Sequence, residues 1–374
     1  MMCDWEGRIL CIVRGGRTYR RGLGGSVLEK GYLEGKRWVR VESDPIRLRS
    51  LLEEAFALVE EAVPHVLAGE AASSVSGTGH SEELRCRLEN WNRLRSVRNP
   101  GDLERDRRRF LQVCQSPPIL PPDQYRAVVV QVTTGCPWNA CRFCSLYSER
   151  TYRVLEPEEL RRHARDVTNY FGAGLSYRQS VFLGDASLSR LTPGAVAQRA
   201  QLVAEVLRET MPKRRWLFNG FADAFTPAAW PADALAPLHE AGVQRFHIGV
   251  ESGSQAVLDA AGKPQSPEKV FRLVKNLKSG GLSVSCIFIV GLGGSALRDE
   301  HVAASVRLLE RLPLGAGDFV YLSPLVGSPP GRPAAAPSDS ELAEEEATLR
   351  RALEPSRAAH GFRVARYDLR EFVY

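Results

Sequence analysis

From Tyr125 onward, short apolar runs alternate with amphipathic stretches, and the alternation predicts strands followed by helices. The strands are expected at Ala127–Thr133, Ser180–Leu183, Trp216–Asn219, Arg245–Val250, Ser283–Val290 and Asp318–Leu322. Helical spacing is expected at Pro157–Phe171, Gly194–Glu209, Ala232–Ala241, Pro267–Ser279, Ala296–Arg311 and Ser338–His360. Strands that are apolar on both faces and separated by helices imply a parallel sheet with the helices outside. Six such units are two short of a closed (β/α)8 barrel, so the expected fold class is α/β. The shape is a partial (β/α)6 TIM-type barrel with its site at the C-terminal strand ends.

The pattern before residue 117 is different and predicts a smaller N-terminal α+β region. Gly7 to Val41 reads as short strands broken by glycine turns. Pro45 to Val63 carries leucines and Phe56 at helical spacing. Ala68 to His80 is small and polar, as in a linker or exposed loop. Glu82 to Phe110 is Arg-rich and partly helical, and Pro117, Pro118, Pro121 and Pro122 form a stiff entry to the barrel. The expected domains are therefore an accessory region at 1–116, the barrel at 117–330, and a helix-and-strand extension at 331–374.

Composition adds limits. The chain has 374 residues, of which 44% are apolar and 25% charged, within the range of ordinary globular proteins. No apolar run approaches the roughly 20 residues that span a bilayer, and the first residues lack a signal-peptide pattern, so no membrane partner and a cytoplasmic location are expected. The net charge of +6 is mild for this length. It permits an acidic partner without by itself arguing for nucleic acid. Arg14–Arg21, with Tyr19 among the basic residues, reads either as a solvated turn or as a contact for phosphate or nucleic acid.

Of eight cysteines, three fall within nine residues: Cys136-Pro-Trp-Asn-Ala-Cys141-Arg-Phe-Cys144. The spacing is C-x4-C-x2-C, directly after the first barrel strand. Thiolates suit zinc or iron–sulfur centres. A closed zinc site takes four protein ligands, and here only three are local. Three thiolates hold three irons of a cubane and leave the fourth open to a small ligand. Zinc completed by a distant ligand, or idle buried thiols, are the competing readings.

The cysteine loop TGCPWNACRFC, placed after the first strand of a six-unit repeat, resembles the radical SAM superfamily. It is most similar there to a bacterial subgroup distantly akin to the coproporphyrinogen-dehydrogenase and elongator-type branches. The commonest spacing in the superfamily is C-x3-C-x2-C, one residue shorter than this one. The resemblance covers about Gln124 to Pro330.

It implies a [4Fe–4S] cluster on Cys136, Cys141 and Cys144, with S-adenosylmethionine on the open iron. Reductive cleavage would then give a 5′-deoxyadenosyl radical that abstracts hydrogen from a substrate. The resemblance further implies that Phe143 lies near the adenine and that Gly184 and Asp185 meet the methionine amino group. It places Glu251 at the ribose hydroxyls and Ser252 near the methionine carboxylate. Gly291, Gly293 and Ser323 would approach the adenine.

Several of these positions also have plain structural readings. Ser254 is a candidate N-cap, Asp299 a helix-start acid, and His239, His247 and His301 satisfied structural histidines. The implied partners are a small-molecule or peptide substrate and an electron donor such as flavodoxin or ferredoxin. Two other classes stay open: a non-catalytic iron–sulfur or zinc accessory protein, and a nucleic-acid-modifying radical enzyme.

Overall fold

The computed structural model describes residues 2–42 apart from 5, 34 and 35, scattered positions between 50 and 68, and residues 100–374 apart from 227–229 and 327–336. The linker at 68–80, most of the helix expected at 45–63 and the Arg-rich stretch up to residue 99 lie outside the described residues. The chain forms two compact units: Met1–Ser116 with Val167–Arg178 and Arg370–Tyr374, and Pro117–Asp166 with Gln179–Leu369.

In the first unit, β1 (Met2–Cys3), β2 (Ile9–Arg14), β3 (Arg17–Arg21), β4 (Val27–Leu33) and β5 (Lys36–Glu42) pair in sequence order as an antiparallel meander. Helix α1 (Pro100–Val113) follows. Ile9, Ile12, Tyr19, Val27 and Leu103 share one apolar cluster with Phe56. The arginines of the basic stretch have acidic partners. Arg17 reaches Glu29 at 3.1 Å, and Arg21 reaches Asp106 at 2.7 Å. Asp106 also takes the buried Arg8 at 3.0 Å. The basic turn is thus largely occupied by internal ion pairs.

The second unit holds a seven-stranded parallel sheet. Its strands are β6 (Ala127–Gln131), β9 (Ser180–Gly184), β10 (Phe218–Ala222), β11 (Val243–Glu251), β12 (Ser283–Val290), β13 (Phe319–Pro324) and β14 (Arg363–Arg366), side by side in that order. Six of them are the expected repeat, and β14 adds a seventh. Every residue of β6, β9 and β10 is buried, which explains why most of them are apolar. A two-stranded ribbon, β7 (Thr133–Thr134) with β8 (Arg153–Val154), closes the neck of the cysteine loop.

Between the strands lie α2 (Pro157–Phe171), α3 (Pro193–Thr210), α4 (Ala236–Glu240), α5 (Gln255–Ala260), α6 (Pro267–Ser279), α7 (Arg298–Arg311) and α8 (Asp339–His360). Side-chain caps start several of them. Thr192 caps α3, Ser254 caps α5, Ser266 caps α6, and Ser338 with Glu341 forms a capping box on α8.

The third strand begins two residues after its expected start, at Phe218, and continues to Ala222. Gly220 inside it sits against Leu188, where a β-carbon would come within 2.7 Å of a Leu188 methyl. The helix expected at 232–241 divides into a 3₁₀ turn, Ala232–Ala234, and the short α4 with Pro237 in its first turn.

The sheet is open, and a polar plug ties its ends at the base. Asp123, just before β6, accepts from Tyr321 Oη on β13 at 2.7 Å and from Arg245 on β11 at 2.7 Å. Burial alone would raise the Asp123 carboxyl. His247, Gln124, Tyr321 and Arg245 outweigh it and hold the carboxyl below its ordinary range. A depressed carboxyl contributes stability that is present above its unfolded value near about pH 4 and lost as pH falls through the folded value. Asp123→Ala leaves Arg245 buried without its carboxylate and should cost about 3–5 kcal/mol in urea unfolding. Asp123→Asn should cost less and should flatten the loss of stability below pH 4. A native-like acid profile in that variant would show that Asp123 is not its source.

Candidate radical active site

The cysteine loop begins where β6 ends, and its neck is built by β9. Gly184 carbonyl accepts from Val132 N–H at 3.0 Å and from Thr133 Oγ1 at 3.1 Å. Thr133 Oγ1 in turn accepts from Asp185 N–H at 2.9 Å. Gly135 adopts φ +66°, and a β-carbon there would come within 2.8 Å of the Arg150 carbonyl, so glycine is required where the two arms of the loop pass. Asn139, at φ +49°, accepts a place few other residues take and donates from Nδ2 to Tyr147 carbonyl at 2.9 Å.

The far side of the loop docks on the turn after α5. Arg142 N–H donates to Ala261 carbonyl at 2.9 Å, and Trp138 Nε1 donates to Gly262 carbonyl at 2.9 Å. Trp138 is 43% exposed and meets Phe225 edge-on.

Cys136, Cys141 and Cys144 are half-buried and line one cavity of about 230 Å³ at the C-terminal ends of the strands. Phe143, Glu251, Lys263 and Ser323 share its wall. Phe143 also packs on Val257, Ala261 and Leu292, with Ile289 and Leu297 beside it. Burial pushes the Cys141 thiol up to about 12 and the Cys144 thiol up as well. Such thiols are neutral until a bound cation draws off the proton. The donor set is soft and local, and its loop is braced on two sides, so these residues fit an iron–sulfur cluster. Among the described residues, no group of three His, Cys, Asp or Glu side chains is arranged to hold a single metal ion.

Glu251 ends β11 at φ +65°, in the left-handed region that side chains with a β-carbon disfavour by about 1–2 kcal/mol. The β11–β12 register slips between Gly249 and Glu251, and a slip of this kind re-aims the side chain that follows it. Lys263 Nζ meets Glu251 Oε1 at 2.9 Å and sits 5.5 Å from the Phe225 ring centroid. Burial opposes a charge on Lys263, but Glu251 outweighs it and keeps the ammonium protonated.

Other sequence-expected positions lie off the cavity wall. Asp185 is 4% exposed, and its carboxylate accepts from Gln131 Nε2 at 3.2 Å, Arg150 at 3.2 Å and Gly135 N–H at 3.3 Å. Burial raises this carboxyl, and those three partners pull against the rise. The peptide bond between Gly184 and Asp185 is cis. Ser252 is fully buried and bonds His301 Nδ1 at 2.8 Å. Gly291 N–H donates to Glu345 on α8 at 2.6 Å, and a β-carbon on Gly291 would strike Leu342. A β-carbon on Gly293 would press on the Leu297 carbonyl at 2.7 Å. These residues hold the strand ends and helices in place around the cavity.

Lys263 and Asp223 are cavity residues that the sequence reading passed over. Asp223 follows β10, accepts from Ser187 Oγ at 2.6 Å and caps its own turn through Thr226 N–H at 2.7 Å. Its place at a barrel strand end was a usable signal. Lys263 follows a short helix with no such mark.

Residues 130–306 match the family model described as the radical SAM superfamily. This part of the chain is similar to that superfamily of enzymes, which use a [4Fe–4S] cluster and S-adenosylmethionine. The chain is 26% identical over 215 residues to 4′-phospho-dehydrooxetanocin synthase of Priestia megaterium, covering 52% of this chain and 28% of that protein. It is 30% identical over 132 residues to cytidylyl-2-hydroxyethylphosphonate methyltransferase of Streptomyces wedmorensis, covering 32% and 25%. The match therefore spans about a quarter of each relative. Among solved structures, coproporphyrinogen III oxidase from Escherichia coli is similar at 17% identity and a TM-score of 0.43, covering 65% of this chain and 55% of that one. No helix among the described residues is long and apolar enough to cross a membrane.

Removing the brace on the loop should weaken cluster retention. Asp185→Ala is expected to speed iron loss to a chelator by about 10- to 100-fold, as removal of the groups behind metal ligands commonly does. Iron release at the native rate would mean that Asp185 does not hold the loop.

Proposed function

We propose that the chain binds a [4Fe–4S] cluster through Cys136, Cys141 and Cys144 and cleaves S-adenosylmethionine reductively to attack a substrate in the same cavity. The observation that carries this reading is the shared wall: the three thiols, Phe143, Glu251, Lys263 and Ser323 all line one cavity at the strand ends. When bound, the cluster supplies the electron that splits S-adenosylmethionine into methionine and a 5′-deoxyadenosyl radical able to abstract hydrogen.

The residues of the chain bind, orient and exclude water. Glu251, held by Lys263, offers acceptor oxygens for ribose hydroxyls. Phe143 and Ile289 form an apolar side for the adenine, with the Ser323 hydroxyl nearby on the wall. Asp185 keeps the cysteine loop at the end of β6, and Ser252 with His301 keeps the end of β11. Phe221, Ile287 and Leu325 make much of the remaining wall apolar, which keeps water from a reactive species. A small electron-transfer protein such as flavodoxin or ferredoxin is the proposed reductant.

Methyl transfer is a second reading, favoured by the name of the Streptomyces relative. Anaerobic reconstitution with iron and sulfide, reduction and addition of S-adenosylmethionine separates the two. The proposed reaction should release 5′-deoxyadenosine, and the Cys136→Ala, Cys141→Ala and Cys144→Ala variants should each lose both iron and product. S-adenosylhomocysteine, with or without deoxyadenosine beside it, would favour methyl transfer. A protein that holds zinc, or that keeps its iron without any one of the three cysteines, would overturn the ligand assignment.

A further inference from the structure

The cavity wall includes residues from outside the stretch that matches the family. Ile119 precedes β6, while Tyr367 and Leu369 follow β14. These two strands are the opposite edges of the open sheet. Tyr367 is held in place by its own N–H, which donates to the Leu322 carbonyl at 2.9 Å, and by edge-on packing of its ring on Tyr321 at 5.7 Å.

Tyr367 is 1% exposed, and its hydroxyl has no hydrogen-bond partner among the described residues. Most buried hydroxyls are bonded in folded proteins; Tyr152 and Ser285 also lack a partner among the described residues, but Tyr367 is the one of the three on the cavity wall, where a ligand can supply it. Nearby Asp123 is already committed: one oxygen accepts from Tyr321, the other from Arg245 and Gln124. Ile119, Ile287, Leu325 and Leu369 on the same wall cannot serve it.

We propose that Tyr367 is a substrate-recognition residue that donates a hydrogen bond to a neutral carbonyl-type oxygen on a small, mainly apolar substrate. Burial holds the phenol well above its ordinary pKa, so it remains a donor across the physiological range. Lys263 on the wall is neutralised by Glu251, which suits a neutral oxygen better than a carboxylate. An analogue lacking that oxygen leaves the phenol unpaired and is rejected. The assignment names the substrate class for the radical site and rests on that reading.

The test uses the purified full chain without S-adenosylmethionine, titrated with acetophenone and with ethylbenzene, its counterpart lacking oxygen. Native protein should bind acetophenone about tenfold more tightly than Tyr367→Phe does, the worth of one buried neutral hydrogen bond. Ethylbenzene should bind both alike, and Leu369→Ala should weaken both probes together. In the native protein, the infrared carbonyl stretch of bound acetophenone should fall to lower frequency, a readout that needs no variant to fold. No binding of acetophenone by the native protein, no preference for it over ethylbenzene, or an unshifted carbonyl stretch would overturn the proposal. Neither probe uses the cluster. Acetophenone recognition without deoxyadenosine formation would therefore remove the radical reading alone, and the reverse result would remove the recognition role alone.

Discussion

The carboxylate of Asp185 is the contact on which the candidate site depends. It is buried at the end of β9 and takes hydrogen bonds from Gly135 at one end of the cysteine loop and Arg150 at the other. A loop that leaves a strand and returns to it has many conformations open to it, and ordering each residue costs about 1–2 kcal/mol of backbone entropy. Ion pairing and hydrogen bonding in a water-poor place offset part of that cost. With its neck closed, the loop needs only the docking of Arg142 and Trp138 on the turn after α5 to set three thiols on one wall.

The same turn ends in Lys263, so one short segment serves two purposes. It receives the cysteine loop through its carbonyls and sends a cation toward Glu251. Glu251 itself stands in a backbone conformation that favours glycine, next to a slip in strand register. Strain of this kind is commonly stored where a side chain has to point in a particular direction. At the opposite end of the sheet, Asp123 gathers Tyr321, Arg245 and Gln124 into a polar plug and ties the β6 side to β11 and β13. The cavity lies at the other ends of these strands.

His247 shows how far the interior accepts polar groups. It is fully buried, neither ring nitrogen has a partner among the described residues, and burial lowers it to about 4. It stands on β11 against Phe221 and Phe182, where an uncharged imidazole packs as an aromatic ring. His301 is also held to about 4 by burial, but it is bonded through Ser252. The sequence reading treated both as satisfied structural histidines. That description fits His301 at Nδ1 only, since its Nε2 has no hydrogen-bond partner among the described residues, whereas His247 is held by packing rather than by hydrogen bonds.

Much of the fold was legible because its signals are local. Ser283–Val290 and Pro267–Ser279 appear with their expected ends, since β-branched runs and a Ser-Pro helix start are decided by neighbouring residues. The cysteine cluster was legible for the same reason: three ligands within one loop announce themselves by spacing. The positions of Asp185, Ser252, Gly291 and Gly293 at strand ends could also be read in advance. Which of these strand-end groups reach the cavity, and which instead face Arg150, His301 or Leu342, depends on partners far away in the chain. Lys263 and Tyr367 carry no local mark at all. By itself the sequence determined the order of strands and helices and the soft three-thiol loop, because both follow from short-range pattern. Only the tertiary structure decided what meets across the open sheet, because a cavity wall is made of residues brought together by packing rather than by sequence spacing.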